Sequence, residues 1–368
     1  MGAEHLQLIT AIPWDVRGGS GCYVGTNTLT QTLRRMGVAV TLVQPTIKTP
    51  LFTTTRWLFN ESLRWRTFDG AATIGVDADG YAISRGNQAP PHIACIKGVM
   101  ADAARFESGA TRASLNFQAG LEKRHARRAD LVVTTSRYCA QTLEEMYGVT
   151  GALVVPELID LDAWRRYLGA NPAVSDPRKF TILSTCRFYP RKRLQVLLRA
   201  AAQLRTAIPE LEIRIVGNGP QRRMLHALSR ELGLDSVVRW LGDVSRSGLA
   251  EEYNRCDIFC LPSAQEGFGI VFLEAMASGK AIVAARAAAA PEVVRNGMLV
   301  DPDSPEALAA GIHHLYSNPD ARCAMAMAAA RDVERYDAAR VAGEFAGAIS
   351  RVVPALRRAP APVVVTSA

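Results

Sequence analysis

Two carboxylates stand eight residues apart in Ser263-Ala264-Gln265-Glu266-Gly267-Phe268-Gly269-Ile270-Val271-Phe272-Leu273-Glu274-Ala275-Met276-Ala277. Glu266 falls on a glycine turn after the strand-like Asp257 to Leu261. Glu274 comes about two helical turns later, so both can face one crevice beyond a strand end. Acceptors placed this way suit a ligand rich in hydroxyls, such as a nucleotide-sugar. Gly267 and Gly269 let the backbone come close, and amides around Phe268, Ile270 and Val271 can donate to phosphate or sugar oxygens. The plainer alternative is an amphipathic helix that Glu266 merely caps.

The segment Ser184-Thr185-Cys186-Arg187-Phe188-Tyr189-Pro190-Arg191-Lys192-Arg193 follows a strand and leads into a helix. Arg187 can fork onto two phosphate oxygens, and Lys192 supplies a compact charge at the helix start. When a nucleoside diphosphate departs, negative charge gathers on its distal phosphate. Cations fixed there favour the transition state over the ground state. Arg191 and Arg193 are expected to face solvent. Gly217-Asn218-Gly219-Pro220 and Trp240-Leu241-Gly242-Asp243 close two further strands, and such strand ends form the rim of a doubly wound sheet.

The paired-glutamate segment resembles the signature of retaining glycosyltransferases of the GT-B fold, the large family 4 (group 1), and the resemblance covers nearly the whole chain. It implies that Glu266 contacts the transferred sugar, Glu274 the ribose, and that Arg187, Lys192 and Glu266 carry catalysis. It further implies that backbone near Leu241 reads the base edge, that Gly217 shapes the pocket, and that Gly18 and Gly19 face the diphosphate, with Gly21 shaping their turn. Four positions depart from the family pattern. Cys186 replaces a glycine before Arg187. Ala289 and Ala290 stand where many relatives have a glycine pair, and alanine tolerates positive φ poorly. Lys97, in Ala94-Cys95-Ile96-Lys97-Gly98, stands where relatives often have histidine. It either contacts the donor sugar or an anionic acceptor, or is salt-bridged to Asp102.

A chain of 368 residues, 48% hydrophobic, can bury two cores. No apolar run approaches the length needed to span a bilayer, and a soluble, unsecreted, cytoplasmic protein is expected. The seven cysteines lack the paired spacing of a zinc site and fit a reducing compartment. A formal charge of +8 points to acidic partners. No continuous aromatic-laced basic face announces nucleic acid. Arg56-Trp57-Leu58-Phe59 and Leu63-Arg64-Trp65-Arg66 interleave cations with rings as an interfacial helix does, and Arg124-His125-Ala126-Arg127-Arg128 could add attraction to acidic lipids. A core-packed helix with a solvated face explains them equally. Asp77-Ala78-Asp79-Gly80, Asp160-Leu161-Asp162 and Asp301-Pro302-Asp303 read as turns or caps, so no metal is expected. Nor is a cofactor: the nucleotide-sugar is a substrate, and the acceptor is a carbohydrate, lipid-linked or small-molecule hydroxyl.

These residues need elements to hold them. Strands are read at Leu6 to Ile12, Val38 to Val43, His92 to Ile96, Leu131 to Thr135 and Ala152 to Val155, with helices between. A break at 171–178 is read as a linker. Strands restart at Phe180 to Thr185, Leu211 to Val216, Val237 to Leu241, Ile258 to Leu261 and Ala281 to Ala284. The alternation predicts an α/β protein of two Rossmann-like domains with mostly parallel sheets, 1–170 and 179–336; the resemblance implies that the first is the acceptor side and the second the donor side. By resemblance, a crevice between them holds the ligand, a last helix at 337–355 crosses back to the first domain, and the tail 356–368 is loosely ordered. Rival readings are a phosphorylase or epimerase of the same fold, a silent binding subunit of a membrane assembly, and a dinucleotide oxidoreductase. The last lacks its glycine fingerprint.

Overall fold

The computed structural model describes residues 5–12, 21–84, 86, 89–173, 176–354 and 356. Gly18, Gly19 and nearly all of the 356–368 tail lie outside them. The chain forms two compact units, one of residues 1–158 and 338–368, the other of 159–337.

In the first unit, β1 (His5–Ile9), α1 (Gly21–Arg35), β2 (Ala39–Val43), α2 (Phe52–Ser62), β3 (Ala72–Val76), β4 (His92–Ile96), α3 (Met100–Ala104), α4 (Gly109–Arg128), β5 (Leu131–Thr134), α5 (Arg137–Tyr147) and β6 (Leu153–Val154) follow one another. The strands make one parallel sheet in the order β2-β1-β3-β4-β5-β6. β3 escapes a hydrophobic-pattern reading because it is short and contains Gly75. A Cβ there would lie 2.0 Å from the Asp79 carbonyl oxygen, so the close approach requires glycine.

The second unit runs α6 (Leu161–Ala170), β7 (Phe180–Thr185), α7 (Leu194–Ala207), β8 (Leu211–Val216), α8 (Arg222–Glu231), β9 (Val238–Gly242), α9 (Arg246–Arg255), β10 (Ile258–Leu261), α10 (Ile270–Ala277), β11 (Ala281–Ala285), α11 (Ala290–Val293), β12 (Met298–Val300), α12 (Pro305–Ser317) and α13 (Pro319–Asp332). Its parallel sheet has the order β12-β11-β10-β7-β8-β9. β7, β10 and β11 are buried along their whole length, as expected of a parallel sheet covered on both faces.

The division corrects the expected boundary. The second unit starts at Ile159, before the 171–178 break, because α6 buries Leu161 and Trp164 in its core beside Tyr253 and Phe272. Proline and polar residues mark a surface loop there rather than a change of unit. At the far end, Ile159 and Asp337 form a parallel bridge, with the Ile159 amide donating to the Tyr336 carbonyl at 3.0 Å. α14 (Ala338–Ile349) then packs Val341, Phe345 and Ile349 into the first unit's core with Leu29 and Leu33.

Candidate active site

In the second sheet the chain proceeds from β7 outward through β8 and β9, then restarts on the other side of β7 with β10. The loops after β7 and β10 therefore diverge, opening a crevice at the carboxyl ends of the central strands. Lys192 comes from the first loop and Glu266 from the second. They meet: the Lys192 ammonium donates to Glu266 Oε1, and both residues are less than a tenth exposed.

Local backbone chemistry fixes this meeting. Pro190 to Lys192 form one 3-10 turn, closed by Arg193 in the left-handed region at φ 54°. The Ala264 amide donates to the Arg191 carbonyl at 2.8 Å, stitching the two loops together. The Ser263 hydroxyl donates to Glu266 Oε1 at 3.0 Å, and the Ala289 amide to the Glu266 carbonyl at 3.3 Å. Arg191 and Arg193 do not stand free in solvent as expected. The Arg191 guanidinium lies 4.8 Å from the Tyr189 ring centre, and Arg193 pairs with Asp303 at 2.6 Å.

Gly269 precedes α10 at φ 91°, and a Cβ there would sit 2.6 Å from the Phe272 ring. No side chain caps this helix, which removes the reading of Glu266 as a cap and leaves an anion-receptive helix end at Ile270. Phe268 is buried edge-on against Tyr336, with ring centres 5.5 Å apart, so only its backbone can serve a ligand. Ala289 has an ordinary φ of −79°; the left-handed position is Ala288, at 50°. The alanines therefore strain the loop at one residue, not at the expected pair.

Glu274 is buried on α10. Arg246, the first residue of α9, donates to its Oε1, and the Tyr253 hydroxyl reaches Oε2 at 3.4 Å. The Arg246 guanidinium lies 4.5 Å from the Trp164 ring centre, and Trp164 Nε1 donates to the Ser278 hydroxyl at 3.0 Å. Sequence reasoning missed Arg246. The signal was available: a cation in a helix's first turn opposes the helix dipole and needs a local reason.

Arg187 reaches Asp243 at 3.4 Å with 38% of its side chain exposed. A loose, solvent-screened pair of this kind leaves the guanidinium available. Gly217, at φ 119°, would place a Cβ 2.0 Å from the Cys186 carbonyl oxygen, and its amide donates to the Gly242 carbonyl at 2.7 Å. Leu241 is half-buried beside them. Burial pushes the Cys186 thiol up to about 12, keeping it protonated.

Lys97 belongs to the first unit. Its ammonium lies 3.1 Å from Glu157, not on Asp102, which accepts from the Tyr138 hydroxyl at 2.5 Å. Asp77 and Asp79 do form a turn, but a buried one: Asp79 holds Arg56 at 2.9 Å, and Asp77 accepts from the Lys97 amide at 2.8 Å. Arg56 thus points into the core rather than toward a surface. Arg127 and Arg128 donate to the carbonyls of Tyr147 and Tyr81. Asp160 caps α6 through the Ala163 amide at 2.9 Å. Among the described residues, no three His, Cys, Asp or Glu side chains converge as metal ligands, and no helix is long and apolar enough to cross a membrane.

Residues 171–332 match the family model of glycosyl transferases group 1. The chain is 30% identical over 223 residues to the GDP-mannose-dependent alpha-(1-6)-phosphatidylinositol monomannoside mannosyltransferase of Mycolicibacterium smegmatis, covering 54% of this chain and 56% of that protein. It is 32% identical over 247 residues to D-inositol 3-phosphate glycosyltransferase 2 of Catenulispora acidiphila, covering 62% and 58%. The chain thus spans little more than half the length of these relatives. The sucrose-phosphate synthase of Thermosynechococcus elongatus superposes with a TM-score of 0.78 at 19% identity, covering 96% of this chain and all of that one. The fold is the GT-B fold that the sequence led us to expect.

Proposed function

Residues 171–332 match the glycosyl transferases group 1 model, and on that premise we propose that the chain is a glycosyltransferase of this group that moves a hexose from a nucleoside diphosphate to an acceptor hydroxyl with retention of configuration. The supporting observation is the Lys192–Glu266 contact at the point where the second sheet's loops diverge. An ammonium has three protons to donate, so Lys192 can hold Glu266 and a distal phosphate oxygen together. Arg187 adds a fork to the same diphosphate. Glu266 accepts from sugar hydroxyls, and Glu274 from the ribose.

In the reaction the anomeric carbon–phosphate oxygen bond breaks and a bond from that carbon to the acceptor oxygen forms on the same face. The acceptor proton passes to the departing phosphate. Cations on that phosphate act most strongly once it has left, which lowers the barrier. The chemistry needs no metal or resident cofactor. Asp77, Asp79, Asp160 and Asp303 are engaged in ion pairs, hydrogen bonds or a helix cap. Incubation with GDP-mannose, UDP-glucose and UDP-N-acetylglucosamine, with and without EDTA, tests this reading. Slow release of free hexose from one donor, unchanged by chelator, is expected. No release and no thermal shift with any of them would overturn it.

The acceptor fits a lipid-linked hydroxyl at an anionic membrane. Among the described residues, seven of the twelve exposed large hydrophobic side chains lie on α2, its flanks and α4: Ile47, Leu51, Phe52, Trp57, Leu58, Trp65 and Phe117. Thr53 and Ser114 bond at 2.9 Å, joining α2 to α4. Lys48, Arg64 and Arg66 are exposed among them, and Trp65 is 89% exposed. Rings beside cations suit an acidic lipid interface. Flotation with vesicles containing phosphatidylglycerol should be lost on Trp57→Ser/Trp65→Ser replacement. Equal flotation of the double variant would reject this surface.

A further inference from the structure

A buried carboxylate meant for ribose would also repel the diphosphate next to it. Glu266 escapes this difficulty through Lys192. Glu274 has a separate device, built from three residues of α9 and α6. Arg246 at the start of α9 binds Oε1, Tyr253 near the end of α9 reaches Oε2, and Trp164 of α6 lies against the guanidinium. Trp164 is itself locked by its bond to Ser278, just beyond α10, and Tyr253 by its donation to the Val271 carbonyl at 3.0 Å. An arginine in that first turn opposes the helix dipole, so the helix alone does not account for it.

We propose that Arg246 is a positioning residue for the donor nucleotide. It fixes the rotamer of Glu274 and cancels its charge, so that the carboxylate can accept from the ribose without repelling the diphosphate. Each carboxylate oxygen has two lone-pair sites, and the single Tyr253 hydroxyl hydrogen is shared between the Val271 carbonyl and Oε2, so Arg246 and Tyr253 together leave acceptor capacity toward a sugar. Trp164 orients the guanidinium by stacking, which a lysine ammonium would not reproduce. The distant residue Trp164 is thereby tied to nucleotide recognition. The inference rests on the donor reading of Glu274.

The test is a double-mutant cycle on the whole protein, read as the dissociation constants of GDP and UDP and as the donor KM and kcat. Arg246→Ala should weaken nucleotide binding about tenfold and raise KM with little change in kcat. The loss should grow as salt is lowered, because an uncompensated carboxylate repels the diphosphate over a longer range. Arg246→Lys should recover only part of it. In an Arg246→Ala/Glu274→Gln protein the two losses should not add, since the glutamine carries no charge to cancel. Additive losses, or a lowered melting temperature with unchanged nucleotide affinity, would make Arg246 a structural residue and overturn the proposal. If wild-type protein binds neither nucleotide and turns over no donor, the glycosyl-transfer reading itself fails. That outcome is distinct from a wild type and an Arg246→Ala variant that bind nucleotide equally.

Discussion

At the scale of single residues, the site holds each of its carboxylates against a cation, Glu266 on Lys192 and Glu274 on Arg246. The Lys192–Glu266 pair separates folding from chemistry. Lys192→Met leaves Glu266 buried without its counter-charge and should cost about 3 kcal/mol of stability. Lys192→Met/Glu266→Gln should regain most of that melting loss while turnover stays depressed at least a hundredfold. Recovery of turnover together with stability would show that neither residue touches the reacting groups. Lys192 and Glu266 were legible in the sequence because charged side chains between a strand and a helix demand a reason, and Glu274 because it interrupts an apolar helix. Arg246 and the Glu157 partner of Lys97 were not. Both are pairings across stretches of chain with no shared periodicity, 28 and 60 residues apart.

At the scale of elements, the strands at His92–Ile96, Phe180–Thr185, Leu211–Val216 and Ile258–Leu261 could be read to the residue, since three are mostly apolar runs and Leu211–Val216 alternates apolar with charged residues. β3 and α6 could not, one blurred by glycine and the other misassigned because helix packing partners leave no local mark. The polar interior of the first unit was equally hidden. Burial raises the Glu122 carboxyl to about 8 and lowers the His125 imidazole to about 4. Glu122 Oε2 accepts from the Met100 amide at 2.8 Å and the Tyr147 hydroxyl at 2.6 Å. A raised carboxyl stabilises the fold fully below its unfolded value of 4.5, and the contribution drains away as pH climbs toward 8. The lowered imidazole acts in the opposite sense, its contribution complete above 6.5 and lost on acidification toward 4. The two slopes oppose each other between 4.5 and 6.5, so the Glu122 slope stands clear of His125 from 6.5 to 8. Stability should fall there by up to about 1 kcal/mol per pH unit. Glu122→Gln, which keeps an acceptor for both donors, should flatten that arm of a melting-temperature profile. An unchanged arm would place the titration elsewhere.

At the scale of the whole molecule, two sheets of the same plan divide the work unequally. The second carries the paired charges attributed to the donor. The first carries a buried ion network and an exposed aromatic face. Its core is also completed by residues that come last in the chain, since Val341, Phe345 and Ile349 pack on Leu29 and Leu33. A protein truncated after Asp337 should therefore keep slow hydrogen exchange across 159–337 and lose it across 1–158; protection of both would show that α14 is dispensable. The bridge between Ile159 and Asp337 brings the two ends of the inserted unit side by side. During synthesis on the ribosome, the middle of the polypeptide can thus finish folding while its beginning waits, unsealed, for the final helix to emerge. A premature stop within codons 338–349 would spare the unit of residues 159–337 and hand the other to the proteases.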